Sequence, residues 1–307
     1  MSLNSLIFFF LMIAIGYAAA HFHLVSEHTA DALPGVLLNI CYPGMVLHTF
    51  TTTDPDALLH AGLPTAIATL AVTFSLFFLS LLVFRRSPKQ HRAYWQFVTG
   101  IGNVAYAAIP LLSVFLSQQA MLLCVIHSAV QDFLIWSLYH PLFLGSTAGS
   151  RRELLRKTLT SPSLIAALLG LLIAMFQIQL PSFLQYTVDT LNAMTSPLAL
   201  LLLGALIHRY GVLSWRSDRL AIGYSFLKVI ALPFVLFCVL RCFVDLQMAL
   251  LLAILFGSPA PLTGVIWSKE YHGDPELAVH CTICSTLLFL LVMSLALLLL
   301  RTFGVLT

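Results

Sequence analysis

The feature that most constrains this chain is its succession of apolar runs, each about as long as a bilayer crossing. Runs bounded by charge, proline or glycine fall at Leu3–Ala20, Leu33–Thr52, Leu63–Phe84, Ala93–Leu116, Ala120–Leu144, Ser161–Gln179, Tyr186–Ile207, Leu220–Cys242, Leu246–Ser268 and Glu276–Leu300. A membrane helix needs ~20 predominantly apolar residues, so the chain reads as an all-α membrane protein of ten transmembrane helices. The loops are short and leave no room for a soluble domain. Composition agrees: of 307 residues, 60% are hydrophobic and 9% charged, against ~45–50% and ~25% in a soluble domain. The net charge of +3 is small and spread over loops, which gives no support for nucleic-acid binding. The first run, "SLNSLIFFFLMIAIGYAAA", lacks the positive n-region of a secretion signal. It is read as a retained first span, although "YAAAH" leaves a cleavage site open.

Positive charge in the loops sets the orientation. Arg85, Arg86, Lys89 and Arg92 follow span three, and Arg151, Arg152, Arg156 and Lys157 follow span five. Arg209, Arg216 and Arg219 follow span seven, and Lys269 follows span nine. Those twelve share one side, Arg241 and Arg301 fall on the other, and Lys228 is left inside a span. The basic loops are therefore assigned to the cytoplasm and both termini to the outside. "RRELLRKTL" is expected to lie along the inner surface.

Ten spans with both ends outside divide into five plus five, the second five inverted. The expected units are residues 1–145, a cytoplasmic linker 146–160, and residues 161–307. Span four carries "GIGNVAYAAIP" and span nine carries "FGSPAPLTGV", each with helix-breaking residues in the middle of an apolar run. Gly102 and Pro259 differ by 157 in number and Pro43 and Pro197 by 154, close to one offset. Unwound backbone at membrane depth is tolerated where protein buries it or a watery cavity bathes it. Two interrupted segments at corresponding places in two halves point to a transporter binding site. The plainer reading is that Gly and Pro merely kink packed helices.

In "LLNICYPGMVLHTF", "GIGNVAYAAIPLL", "SPSLIAALLGLLI", "LNAMTSPLALLLLGALI", "LKVIALPFVL" and "GSPAPLTGVIWSKEYHGDPELA" the chain resembles the auxin efflux carrier family of bacterial permeases, related to plant PIN-type auxin carriers. The likeness covers nearly the whole length, and the order and spacing of the pieces make it specific. It implies a fold related to sodium/proton antiporters and bile-acid symporters, with broken crossover helices four and nine. It also implies efflux or exchange of organic anions by an elevator-like motion, in the inner membrane of a bacterium and without a cofactor. A homodimer is an expectation from related carriers. By position, Asn103 matches the family's asparagine at the first crossing and Pro259 its second crossing proline. Gly102 stands where plant members have proline. Thr263 sits where many bacterial members have asparagine or serine, a departure that leaves the identity of the anion open.

Each candidate residue has a functional and a structural reading. Asn103 offers a side-chain NH2 to a substrate carboxylate or caps the broken helix, and Ser258 and Thr263 carry the same two readings. Asn39, four residues before Pro43, lines the cavity or mends the backbone gap that the proline leaves. Lys228 lies about eight residues, or ~12 Å, into span eight. An ionisable group there is a functional hypothesis by default, as substrate counter-ion or coupling site, against an ion pair that holds the scaffold. Asp132, near mid-span in span five, is its candidate partner and a candidate proton carrier. His21, His23, Glu27 and His28 cluster in a loop but have no second set of ligands, so no metal is assigned. His127 and Asp132 spell an acyltransferase-like pattern but point about 140° apart on a helix, and no catalysis is assigned. The six cysteines fall in spans and read as small packing residues. With no P-loop or dinucleotide fingerprint, the chain is read as a secondary transporter of a small carboxylate-bearing anion and not an enzyme. A channel or sensor on the same fold is the alternative.

Overall fold

The computed structural model describes residues 3–53, 56, 58–113, 116–144, 160–211 and 214–302, and among these it is helical with no strand. The helices are α1 (Leu3–His21), α2 (27–51), α3 (Leu58–Arg86), α4 (Lys89–Gly100), α5 (104–113) and α6 (118–144). They continue with α7 (Pro162–Met175), α8 (Ser182–Tyr210), α9 (Arg219–Leu240), α10 (Leu246–Phe256), α11 (Leu262–Glu270) and α12 (Pro275–Thr302). The linker expected at 146–160, with its basic stretch, lies almost wholly outside the described residues. Six helices contain stretches long and apolar enough to cross a bilayer: α2, α3, α6, α8, α9 and α12. That is fewer than the ten sequence spans for a physical reason. The fourth and ninth spans are each split in two, and neither half reaches membrane length. α7, at 14 residues, is also shorter, and α1 (Leu3–His21) is a 19-residue apolar helix that the six do not include.

Inside lipid a backbone has no water to bond, so it must satisfy itself as helix. Proline disturbs this, because it lacks an N–H and its ring collides with the carbonyl four residues back. Five prolines share one local solution. Pro43, Pro64, Pro110, Pro141 and Pro233 each stand two residues after a wide helical turn, at Leu37–Cys41, Leu58–Gly62, Val104–Ala108, Ile135–Tyr139 and Leu227–Ala231. In four of these the closing amide reaches five residues back, as from Tyr42 to Leu37 and from Leu232 to Leu227. The extra residue lets the chain pass the proline ring without ending the helix. Thr195 on α8 then donates to the Cys41 carbonyl, at 3.0 Å, just ahead of Pro43. Pro197, by contrast, sits inside the unbroken α8.

The helices pack as two bundles. α1 runs along α8, and α2 packs on both α7 and α8. Gly16 and Gly204 let α1 and α8 approach closely, since a Cβ on either would overlap a backbone carbonyl of the other helix. In the second bundle α3 packs on α4 and α6, α9 on α10 and α12, and α11 on α12. The bundles meet where α5 lies against α8 and where α6 touches α2 and α7. Histidine–carboxylate contacts fasten the helix ends within each bundle. His48 meets Asp189 at 2.9 Å in the first; His91 meets Asp274 at 2.9 Å and His280 meets Asp218 at 3.0 Å in the second.

Candidate functional site

The two interrupted helices break where glycine, asparagine and proline make helix least favourable. α4 ends at Gly100, and residues 101–103 run without helical structure before α5. α10 ends at Phe256, and residues 257–261 separate it from α11. The two non-helical stretches touch: the Asn103 amide donates to the Pro259 carbonyl at 2.7 Å. Gly102 is needed at this contact, because a Cβ there would overlap the Ser258 hydroxyl. The crossing is thus one small knot, with Gly102, Asn103, Ser258 and Pro259 all buried.

Every break leaves polar backbone groups without helix partners, and side chains supply many of them. The Lys228 ammonium, on α9, donates to the carbonyls of Ile101 at 3.1 Å and Thr99 at 3.3 Å. The Gln131 amide, on α6, donates to the Gly100 carbonyl at 3.1 Å. At the second break Ser285 of α12 accepts from the Ala260 amide at 2.9 Å, and the Ser258 hydroxyl donates to Leu255 at 2.6 Å. The start of each following half-helix is different. Asn103 makes no side-chain cap on α5, and Pro261, which precedes α11, has no side chain able to cap. Both half-helix N-termini therefore keep first-turn N–H groups and the positive end of the helix dipole, the combination that attracts anions.

Asn103 lies between two small cavities. One, of about 70 Å3, is lined by Gly102, Asn103, Ser128, Gln131, Asp132 and Thr263, among others. The other, of about 30 Å3, places Asn103 opposite Leu202 and Leu206 of α8 and Thr282 and Thr286 of α12. Both are far below the ~300–1,000 Å3 of a pocket for a drug-sized ligand.

Seven of the eight sequence-chosen residues gather here. Gly102, Asn103, Asp132 and Thr263 line the larger cavity, Ser258 and Pro259 form the crossing, and Lys228 braces the end of α4. Asn39 does not join them. It lies within the wide turn Leu37–Cys41, is exposed, and donates to the Gly35 carbonyl at 2.9 Å. One added residue in a turn rotates the following positions by ~100°, which upsets the helical spacing that related Asn39 to Pro43. His127 and Asp132 face different neighbours: His127 is buried against Thr69 and the Phe256 ring, while Asp132 lines the cavity. Sequence reasoning missed Gln131, Ser128 and Ser285. The first two adjoin residues it did weigh, but a neutral polar side chain in a span raises no alarm of the kind a charge does.

Residues 1–297 match the model of a family described as membrane transport protein. No curated protein matches the chain.

Proposed function

The chain belongs to the membrane transport protein family, which includes the auxin efflux carriers, and we propose that this multi-pass membrane protein is a secondary transporter of a small organic anion, read as a carboxylate. The anion binds at the crossing, between the starts of α5 and α11, with Asn103 as donor and Thr263 beside it. The observation that carries this reading is Asn103. It is 6% exposed, its carboxamide does not cap its own helix, and it lines both cavities. A carboxamide that lines a cavity wall and does not cap its own helix can offer its N–H groups to an anion.

In this reading the ten sequence spans form a 5+5 inverted repeat. Two contacts support the repeat. Cys41 and Thr195 are 154 residues apart and Asn103 and Pro259 are 156 apart, and each pair is in direct hydrogen-bond contact. Positions related by an internal twofold axis meet each other only near that axis, and both offsets are close to one value. The second bundle, which holds both breaks, moves as an elevator past the first, which supplies α8. Cavities this small favour a cycle in which the bundles must shift to admit the anion. The cell is bacterial, the membrane the inner one, both termini face outward, and the carrier works as a homodimer.

The test is thermal stabilisation of the purified protein against mono- and dicarboxylates, in parallel with Asn103→Ala. A ligand bound only by the folded state raises apparent stability, by ~2.7 kcal/mol at a hundredfold excess over Kd. The expected result is a stabilising carboxylate whose effect disappears in Asn103→Ala. Stabilisation that survives the substitution takes Asn103 out of the site. Counterflow in proteoliposomes separates carrier from channel: preloaded unlabelled anion accelerates label entry only in a carrier.

A further inference from the structure

A helix C-terminus carries roughly half a negative charge on carbonyls that have no partner. α4 ends in this state inside the membrane, where no bulk water can solvate it. Thr99, Gly100 and Ile101 are three consecutive residues, and each carbonyl is met by a side-chain donor from another helix. Two of the three go to one ammonium group, on a lysine that is 2% exposed. In carriers built on interrupted helices, carbonyls of this kind, at the C-terminal ends of half-helices, hold the coupling cation. Lysine ends in a compact point charge with three donors. Its bonds to two carbonyls at the end of α4 are those a small cation would make.

We infer that Lys228 is a tethered stand-in for a coupling cation. The wide turn Leu227–Ala231 sets it on α9 facing the break, and Pro233 two residues beyond that turn packs against Gly257 of the second break. One helix thus touches both breaks. Lys228 holds Ile101 by its carbonyl while Pro259 holds Asn103 by its amide, so the backbone is pinned on both sides of Gly102. Lys228 is a positioning residue: it fixes the last turn of α4 and, through it, the direction of Asn103. The position that a free cation would fill is already occupied by an amino group tethered to the protein, so the crossing assembles without sodium.

The effect on anion affinity rests on the function proposed above; the cation position itself can be read without any anion. The experiment uses the full-length purified protein in matched sodium chloride, choline chloride and ethylammonium chloride buffers. Melting temperature is measured first with no carboxylate present. The wild type is expected to melt at the same temperature in all three. Lys228→Ala, which opens a space of lysine's length, is expected to melt lower and to recover in ethylammonium. Lys228→Met, which fills that space with a neutral chain, is expected to melt lower without recovery. Carboxylate affinity should then fall about tenfold in Lys228→Ala and return with ethylammonium.

A sodium-dependent wild type overturns the inference, as does a Lys228→Ala protein that no small cation stabilises. If Lys228→Ala cannot be purified, Gln131→Leu decides. It frees the Gly100 carbonyl while leaving the lysine charge in place, so sodium should give it no stabilisation; a sodium-dependent melting temperature there overturns the inference. If ethylammonium rescues stability while no carboxylate binds, the anion reading fails and the tethered cation stands.

Discussion

The two breaks meet the same problem, unpaired backbone in a membrane, by opposite means. At 101–103 the chain keeps its polar groups and brings in donors from afar, Lys228 and Gln131, which lie on α9 and α6. At 257–261 two of the five residues are prolines, so two of the amides that would need partners do not exist. The remaining needs are met nearby or by a neutral hydroxyl: Ser258 reaches back three residues, and Ser285 takes the Ala260 amide. The first break is therefore braced by a lysine and an amide from two other helices, whereas the second has two donors removed by proline and is served by hydroxyls, one its own and one from α12. A half-helix end braced by a cation and a half-helix start without a cap lie within three residues of each other at the first break. That makes it the more exacting of the two, and the one whose loss should do most damage.

The harshest way to break the comparison is Gly102→Ala. The new methyl would overlap the Ser258 hydroxyl, and the Ser258 and Leu255 carbonyls lie 3.1 and 3.2 Å from the same point. A flexible side chain can turn away, but backbone oxygens in a buried crossing cannot. Overpacking of this kind costs ~1–3 kcal/mol or more, and the variant should show the lowest melting temperature of any single change at the crossing. Adding Ser258→Ala should return only part of the loss, because the carbonyls remain. A Gly102→Ala protein as stable as the wild type would mean that the breaks do not press together as described.

How much of this was legible in the sequence can be argued residue by residue. The places of both breaks were, because Gly100, Gly102, Asn103, Gly257, Pro259 and Pro261 are poor helix formers inside apolar runs. So was the paired character of the breaks, through the nearly constant offset. The partners of the broken ends were not. Lys228 was noticed because it is charged, but nothing local says that it reaches carbonyls 127 and 129 residues away. The wide turns were invisible too. A proline shows where a helix is disturbed, but whether it kinks, ends or widens the preceding turn is settled by what packs around it. Asn39 lies away from the crossing, within a wide turn that an ideal 3.6-residue count does not foresee, and its bond to the Gly35 carbonyl fits the reading in which it serves the local backbone.

A more even test removes one neutral partner at each break. Gln131→Leu leaves the Gly100 carbonyl unpaired, and Ser285→Ala does the same to the Ala260 amide. A buried polar group without a partner costs ~1–3 kcal/mol. Both variants should therefore lose stability, and on this ground alone by similar amounts. The breaks differ in what lies beside them. Gln131 also lines the 70 Å3 cavity and braces the turn that Lys228 holds, so its loss should weaken carboxylate binding as well as stability. Ser285 lines neither cavity, and its loss should lower the melting temperature with little change in affinity for the folded protein. Equal effects on affinity would mean that the two breaks contribute equally to the site.

The smallest effect is expected from Pro259→Ala, and it tests the idea that proline serves the second break by deleting a donor. The Pro259 carbonyl accepts the Asn103 amide at 2.7 Å, and alanine can keep that bond. What alanine adds is an N–H in a buried, non-helical stretch, together with the chain freedom that proline removes from the unfolded state. Where the native conformation suits proline, its presence is worth ~0.4–1 kcal/mol through the unfolded chain alone. A loss confined to that range, with anion affinity unchanged, says that the new N–H has found a partner or a water and that deletion of the donor matters little. A larger loss, approaching that of Ser285→Ala, says that the donor is stranded. Proline at the crossing then acts as Lys228 and Gln131 do at the other break, by leaving no backbone group unanswered.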